Sequence, residues 1–291
     1  MHGLITPLEP KRALLRASTA NERGATQAVY ADAYRRLDAA AATSCGSYHD
    51  VNEDAHSPLD GSERLFVVAD GVGGGAMAQV ASQLLVTHLH RAFADRTPDA
   101  DRVGEAMLAA DRVIAEAIAR VTDKPGAATV ALCAPIERSA AQWLVAWVGD
   151  CRVYRWSPRA PATIDALTRD DTFACLGEAA PPGGSADDPA RMVGNGATSG
   201  ANTALHALAW GDLLVVCSDG VHKHLDDASW CRVLTQPVAL ARRSAALVAL
   251  ARARGSGDDA TVLLIERSAP SRRGRPRDTT VDDTRPDRSA P

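Results

Sequence analysis

Lysine is nearly absent from this chain of 291 residues, in which only Lys11, Lys124 and Lys223 accompany the arginines. The net charge of −4 is mild, so the basic excess typical of nucleic-acid binding is missing. No run approaches the roughly 18 apolar residues of a membrane span, and the N-terminal residues lack the apolar core of a signal peptide. We therefore expect a cytoplasmic protein with neither a nucleic-acid partner nor a membrane anchor.

Paired cysteine motifs are missing as well. The six cysteines are scattered without Cys-x-x-Cys spacing, and four of them lie in apolar or strand-like surroundings. This distribution is typical of buried, reduced thiols rather than of disulfides. The length and apolar content allow one large domain with a sizeable core.

What the sequence does contain is a buried strand that ends in a carboxylate. Residues Leu65–Gly75 read LFVVADGVGGG, and the apolar run over Leu65–Ala69 predicts a strand. It ends at Asp70, and the glycines that follow allow the backbone to bring carbonyl oxygens close to whatever Asp70 holds. Taken alone, the stretch is better explained by a strand that ends in an Asp-Gly turn.

The same pattern recurs at other points far apart in the chain. The acids at the ends of predicted strands, besides Asp70, are Glu53, Asp54, Asp150, Asp219, Asp258 and Asp259. A buried carboxylate needs a compensating cation or hydrogen-bond donors, and hard divalent cations prefer oxygen ligands. No cysteine–histidine grouping competes for a metal. The pattern therefore predicts a Mg²⁺ or Mn²⁺ site rich in carboxylates.

Motifs around these acids resemble those of a known family. They are NEDA at Asn52, VVADGVGGG from Val67, AS at Ala81, GAATV at Gly126, VGDCRVY from Val148, LTRD at Leu167, VVCSDG from Val215 and GDDATV from Gly257. In this order they resemble the metal-dependent protein serine/threonine phosphatases of type 2C (the PPM family), bacterial type. The resemblance covers Ala39–Arg267.

The resemblance implies an α+β fold, a four-layer β-sandwich of two antiparallel sheets flanked by helices, with the metals at one end. The strand and helix pattern by itself favours a layered α+β domain. We expect the catalytic domain over residues 39–267, after a partly loose extension (1–38) that includes a short helix over Thr26–Leu37. Residues 268–291 are polar and predict a disordered tail.

The implied activity is hydrolysis of phosphoserine and phosphothreonine in proteins by a metal-activated water. Two Mn²⁺ or Mg²⁺ ions are implied, with a weak third ion in bacterial members. The partners would be phosphorylated proteins and a cognate serine/threonine kinase whose signalling the enzyme opposes, and we expect a monomer. Two alternatives stay open: a pseudophosphatase or phosphopeptide-binding scaffold, and a metal-dependent hydrolase of small phosphate esters.

Carried over by motif, the metal ligands are Asp54, Asp70, Gly71, Asp150, Asp219 and Asp258, and the catalytic residues are His49, Glu53 and Asp54. Asp70 would bridge both metals, and Gly71 would lend its carbonyl. Glu53 and Asp54 would act directly or through water, whereas Asp150 would serve the third ion.

Two positions depart from the family pattern. His49 stands where the family has a phosphate-binding arginine, and imidazole is a single donor that titrates near neutrality. It is either a phosphate contact or a structural residue; Arg152, Arg64 and His56 are possible substitutes. Lys223 stands where the family often has an acid that helps the third ion, and its ammonium either replaces that ion's charge or excludes it.

The remaining chain predicts further elements. Helical spacing indicates helices over residues 76–93, 101–121, 226–234 and 237–254, with Val121 on the apolar face of the second. The strands before and after Gly149-Asp150 predict a tight hairpin. The irregular stretch Thr172–Thr203 is either a flap that contacts substrate, as in the family, or a disordered insertion.

Overall fold

Two antiparallel sheets account for the strands in the computed structural model, which describes residues 25–31, 34–59, 65–74, 76–124, 126–159, 161–196 and 198–269. The strands are β1 (Thr26–Ala31), β2 (Arg36–Ser44), β3 (Asp54–His56), β4 (Phe66–Val72), β5 (Ala127–Pro135), β6 (Gln142–Val148), β7 (Arg152–Ser157), β8 (Thr163–Ala166), β9 (Asn202–Ala207), β10 (Leu213–Cys217) and β11 (Ala260–Ser268). The helices are α1 (Ala76–Ala92), α2 (Ala100–Ala119), α3 (Phe173–Leu176), α4 (Asp219–His222), α5 (Asp227–Leu234) and α6 (Leu240–Ala253).

The sheets pack face to face and each is covered by helices on its outer side. The six-stranded sheet has the order β1-β2-β11-β10-β7-β8, and the five-stranded sheet has the order β3-β4-β5-β6-β9. Side chains alternate along each strand, so Val68 of β4 and Val216 of β10 lie in the core between the sheets. The helices α1 and α2 cover the five-stranded sheet, and α5 and α6 cover the other. The predicted α+β sandwich is confirmed.

The predicted long helices are present with small shifts at their ends. They correspond to α1, α2, α5 and α6. Asp226 begins α5 as its N-cap, accepting a hydrogen bond of 2.9 Å from the backbone of Ser229. Because α2 ends at Ala119, Val121 lies beyond the helix and is exposed, so its predicted place on the apolar face is wrong.

Two further local predictions are wrong. The helix expected over Thr26–Leu37 is instead β1 and the beginning of β2, which pair with each other. Burial alternates along β1, with Ala28 and Tyr30 buried, and this period of two belongs to a strand. β1 and only the first three residues of β2 fall within the expected N-terminal extension, residues 1–38. Residues 1–24 of that extension lie outside the described residues, as does nearly all of the predicted tail.

The hairpin predicted at Gly149-Asp150 is the second error. β6 pairs with β5 and β9 in one sheet, whereas β7 pairs with β10 and β8 in the other. The chain therefore crosses from sheet to sheet at residues 149–151, which we call the crossing. It follows that Asp150 lies between the two sheets at one end of the sandwich.

The prediction of reduced cysteines is confirmed, because all six are free thiols and Cys133, Cys151 and Cys217 are buried.

None of the helices in the described part of the chain has the length and apolar character that crossing a bilayer requires.

Candidate metal centre

The first two acids of the site come from neighbouring strands. In the register of β3 and β4, Asp54 lies directly opposite Asp70. The backbone of Gly71 donates a hydrogen bond of 3.1 Å to the carbonyl of Glu53, which fixes this pair of strands. A side chain at Gly71 would overlap the carbonyl of Ala78 in α1, so only glycine lets β4 pass this close to the helix.

The other sheet brings the next acids to the same end. Asp219 follows β10 at the start of α4, and Asp258 lies just before β11. Ser218 joins the two sheets, because its hydroxyl donates to Asp54 Oδ2 at 2.8 Å and accepts from the backbone of Thr261 at 3.0 Å. Acids far apart in sequence thus meet at one end of the sandwich.

The pKa values show that these acids form one cluster. Burial raises the pKa of Asp70 well above its ordinary value, and the negative charges of Asp54, Asp219, Asp150 and Asp258 raise it further. Burial likewise raises the pKa of Asp54 to about 8 and that of Asp150 to about 6, with Asp219 adding to both. Without a cation, the cluster resists full ionisation.

Among the residues that the structure describes, two buried oxygens of this cluster have no hydrogen-bond partner. They are Oδ1 of Asp54 and Oδ1 of Asp219. An unsatisfied buried carboxylate oxygen is costly, and a divalent cation with oxygen ligands would satisfy both atoms. The residues present therefore fit a hard divalent metal ion.

Asp150 is held at its side chain and at its backbone. The ammonium of Lys223 lies 3.2 Å from Asp150 Oδ2 and 2.6 Å from Asp219 Oδ2. Burial lowers the pKa of Lys223, but the charges of Asp219 and Asp150 outweigh it and the net shift is upward. His222 Nε2 donates to the carbonyl of Asp150 at 2.9 Å, and burial lowers the pKa of His222 to about 4, so this imidazole is neutral.

His49 lies at the opposite side of the cluster, beside Asp258 and Asp259. Its Nδ1 is 2.9 Å from Asp259 Oδ2 and 3.8 Å from Asp258 Oδ1. Burial lowers the pKa of His49, but the hydrogen bond to Asp259 and the charge of Glu53 outweigh burial and raise it. Buried Asp259 also accepts backbone hydrogen bonds of 2.7 Å from Gly46 and Glu53, so it fixes both the ring and the loop that carries it.

The two described substitutes for the phosphate-binding arginine, Arg152 and His56, contact other groups. Arg152 makes a two-pronged ion pair with Asp170, at 2.8 and 2.7 Å, and also donates to the hydroxyl of Tyr154. His56 Nδ1 hydrogen-bonds the carbonyl of Ser57 at 2.9 Å. Arg64 lies outside the described residues. Of the candidates that the structure describes, only His49 contacts an acid of the cluster.

Sequence reasoning missed two residues that support the site, Ser218 and Asp171, and named Asp259 among the strand-end acids without giving it a role. Ser218 and Asp259 adjoin proposed ligands in the chain, so a polar residue next to each strand-end acid was the available signal. Asp171 follows the LTRD motif and contacts Gly149 across 22 residues of sequence, which no local pattern indicates.

Cavity size does not identify this site. A cavity of about 550 Å³ lies between β2 and α6, and one of about 520 Å³ lies beside β9 and the start of α2. Neither is lined by an acid of the cluster. The chemistry of the carboxylates, rather than concavity, points to the functional end of the sandwich.

Comparison with known proteins gives one family. The sequence profile described as Protein phosphatase 2C matches residues 33–180. Among proteins with curated descriptions, none matches the chain.

Solved structures give the same family. PppA, described as a key regulatory component of T6SS in Pseudomonas aeruginosa, is 27% identical with a TM-score of 0.67, over 79% of this chain and 97% of its own. The phosphatase MsPP from Mycobacterium smegmatis, in complex with cacodylate, is 27% identical with a TM-score of 0.66, over 78% and 97%. The catalytic domain of the phosphatase PstP, with two manganese ions, is 25% identical with a TM-score of 0.67, over 80% and 98%.

Proposed function

The chain belongs to the protein phosphatase 2C family, and we propose that it hydrolyses phosphoserine and phosphothreonine in proteins with the help of divalent metal ions. The observation that carries the proposal is the cluster of acids from both sheets, with two buried carboxylate oxygens that lack a partner. A cation-binding cluster of this kind at one end of the sandwich is what metal-assisted phosphoryl transfer requires.

We propose that Asp54, Asp70, Asp219 and Asp258, with the carbonyl of Gly71, hold two Mn²⁺ or Mg²⁺ ions. The two manganese ions in the structure of PstP support this number and kind. When bound, such ions activate water for attack on phosphorus and offset the charge of the phosphoryl oxygens. Asp70 would be a central ligand of these ions, because the other acids lie close enough for their charges to raise the pKa of its carboxylate.

The remaining residues act on the substrate and on the ligands. His49 donates a hydrogen bond to a phosphoryl oxygen, a role that fits its place beside Asp258 and its fixed contact with Asp259. Glu53 and Asp54 act next to it, directly or through water. Lys223 neutralises Asp150 and Asp219, where the family has a further acid. The physiological partner would be a serine/threonine kinase that phosphorylates the same proteins.

Hydrolysis of a phosphothreonine peptide by the purified full chain tests the proposal. Phosphate release should require Mn²⁺ or Mg²⁺ and stop when a chelator is added, and Asp70→Asn should remain inactive under the same conditions. Faster turnover of sugar phosphates or nucleotides than of phosphopeptides would favour a hydrolase of small esters instead.

A second candidate is a phosphopeptide-binding scaffold without turnover. The observation that favours it is the pairing of His49 with Asp259, because an engaged imidazole is a weaker phosphate contact than a free guanidinium. A calorimetric titration combined with a phosphate-release assay separates the candidates. The scaffold would bind Mn²⁺ and phosphopeptide without releasing phosphate, whereas the phosphatase would release it.

A further inference from the structure

Asp171 is a buried carboxylate outside the metal cluster, and its oxygens face the crossing. Its Oδ2 accepts a hydrogen bond of 3.1 Å from the backbone of Gly149, and the backbone of Asp171 donates 2.9 Å to the carbonyl of Gly149. Gly149 directly precedes Asp150. Both main-chain groups of the residue before Asp150 are therefore held by one residue from another part of the chain.

The same carboxylate also holds the beginning of β9. The side-chain amide of Asn202 donates to Asp171 Oδ1 at 3.0 Å and to Oδ2 at 2.8 Å. Asn202 pairs with Trp147 of β6, two residues before Gly149. The end of β6 and the start of β9 are thereby fastened to one carboxylate, at the end of the sheet from which the crossing leaves.

Asp171 further contacts the described part of the irregular stretch, Thr172–Gly196, which we call the flap. The backbone of Ala190 donates to the carbonyl of Asp171 at 2.7 Å, and Thr172 pairs with Pro189. A side chain at Gly149 would lie 3.1 Å from the carbonyl of Arg191, so the flap lies directly against the crossing. The flap is thus fixed to the residue that also fixes Gly149.

A second carboxylate fixes the flap without touching the crossing. Asp111 of α2 accepts backbone hydrogen bonds from Gly194 at 2.6 Å and from Gly196 at 3.1 Å. It is buried like Asp171 and also accepts from two donors. The described contacts of its carboxylate lead to the flap and not to the metal cluster, so it is a matched comparison for Asp171.

From these contacts we infer that Asp171 is a positioning residue. It fixes the position of Asp150 through the backbone of Gly149, and it couples that position to the flap. The effect reaches the proposed metal ligands in two steps. Asp150 holds the ammonium of Lys223, and Lys223 holds Asp219. This inference rests on the proposed metal centre but assigns to Asp171 a role that the metal ligands do not fill.

The polarity of the contacts provides a sharp test. Asp171 Oδ2 accepts from Gly149 and from Asn202, and Oδ1 accepts from Asn202 as well. An asparagine at position 171 that keeps its oxygen at the Oδ2 position would place an amide group, which donates, against the donating amide of Asn202. Asp171→Asn keeps the size and loses one acceptor. The exchange Asp171→Asn with Asn202→Asp restores a complementary donor and acceptor between the two side chains, while one oxygen still faces Gly149.

Four full-length proteins are compared with wild type: Asp171→Asn, Asp171→Ala, the double exchange, and Asp111→Ala as the match for Asp171→Ala. Mn²⁺ affinity by calorimetry and kcat for a phosphothreonine peptide should fall roughly 10- to 100-fold in the two single variants at position 171, as for other residues that orient metal ligands. The double exchange should recover most of both losses. Asp111→Ala removes both of its hydrogen bonds to the flap and should leave Mn²⁺ affinity and kcat within about twofold and change only KM, because the contacts of the Asp111 carboxylate stay within the flap.

Equal losses at positions 111 and 171 would overturn the inference, because general loosening of the flap would then explain both. Unchanged Mn²⁺ affinity and kcat in folded Asp171→Ala would overturn it as well. Failure of the proposed function is distinguishable: if wild type binds Mn²⁺ and releases no phosphate, Mn²⁺ affinity and amide exchange at Gly149 still report whether Asp171 positions the crossing.

Discussion

Asp70 is the residue on which the charges of the other acids converge, because four aspartates raise its pKa in addition to burial. A buried carboxylate among like charges is stable in its ionised form only beside cations. The carboxylate of Asp70 therefore destabilises the metal-free protein, and bound metal would remove that destabilisation. We therefore expect substitution of Asp70 to affect metal binding more than substitution of any other acid of the site.

We predict that Asp70→Asn and Asp258→Asn each lower phosphatase activity by at least about 100-fold, more than the loss typical of residues that only orient ligands. Each substitution removes a charged ligand and keeps the volume of the side chain. Phosphate release from a phosphothreonine peptide, bound metal and circular dichroism are measured together. The control is Asp95→Asn, which removes an exposed acid. Full activity with unchanged metal content would rule out the two-metal assignment.

His49 is predicted to affect substrate binding more than metal binding. His49→Ala should raise KM for a phosphopeptide by roughly 10- to 100-fold, the range expected when a hydrogen bond to a charged group is lost. His49→Arg should restore or lower KM, because a guanidinium contacts phosphate with two donors. Steady-state kinetics at saturating Mn²⁺ measures both. If His49→Ala keeps the wild-type KM, His49 serves only to fix the loop through Asp259.

Lys223 is predicted to limit the site to two metal ions. Its ammonium already lies between Asp150 and Asp219, within hydrogen-bonding distance of both, and competes with a cation for the same charge. Turnover and calorimetric heat should therefore saturate at low Mn²⁺ without a later phase. Lys223→Asp should create a weak second phase, and Asp150→Ala in that background should remove it. A clear activation step in wild type at millimolar Mn²⁺ would contradict this role.

At the scale of elements, the sequence indicated which strands carry an acid near their end but not how those strands join, and the predicted end of the central strand at Asp70 is wrong because β4 continues to Val72. The apolar runs before Asp70, Asp150 and Asp219 are local signals, and β4, β6 and β10 lie where they indicated. The predicted hairpin at Gly149-Asp150 is wrong because two strands joined by a short connection pair with each other only if both belong to the same sheet. Which sheet β7 joins depends on β10, about sixty residues later in the sequence.

For β2, by contrast, the local composition alone indicates that the strand is buried on both faces. Its alanines are buried on both faces: Ala39 and Ala41 lie between the sheets, whereas Ala40 and Ala42 face the helices. A strand buried on both sides shows no polar alternation. Small side chains let the neighbouring layers approach closely, so this strand has little room for added volume.

We predict that Ala41→Leu lowers the free energy of unfolding by about 1–3 kcal/mol, because added methylene groups in a close-packed core force neighbouring side chains to shift. Ala207→Leu in β9 is the control, since Ala207 is an exposed alanine in a strand. Chemical denaturation of both variants, each saturated with Mn²⁺, measures the difference. Equal stabilities would mean that the core between the sheets can expand at β2.

At the scale of the whole molecule, the metal centre joins the two sheets. Asp54 and Asp70 belong to the five-stranded sheet, whereas Asp219 and Asp258 adjoin strands of the six-stranded sheet. Metal bound by these acids would therefore oppose separation of the two sheets as well as serve the proposed reaction. Metal-free protein keeps the mutual repulsion of these acids, relieved only in part by Lys223 and by hydrogen bonds such as that from Ser218.

We predict that Mn²⁺ at about 100 times its dissociation constant stabilises the folded chain by about 2.7 kcal/mol. For a chain of this size that corresponds to a rise in Tm of roughly 5–10 °C. Asp70→Asn should show no such rise, and in chelator it should melt at or above the temperature of wild type, because it removes a repelling charge. Asp95→Asn should respond to Mn²⁺ as wild type does. Scanning calorimetry with and without chelator measures all three proteins, and an equal Mn²⁺ response in Asp70→Asn would place the metal outside the cluster.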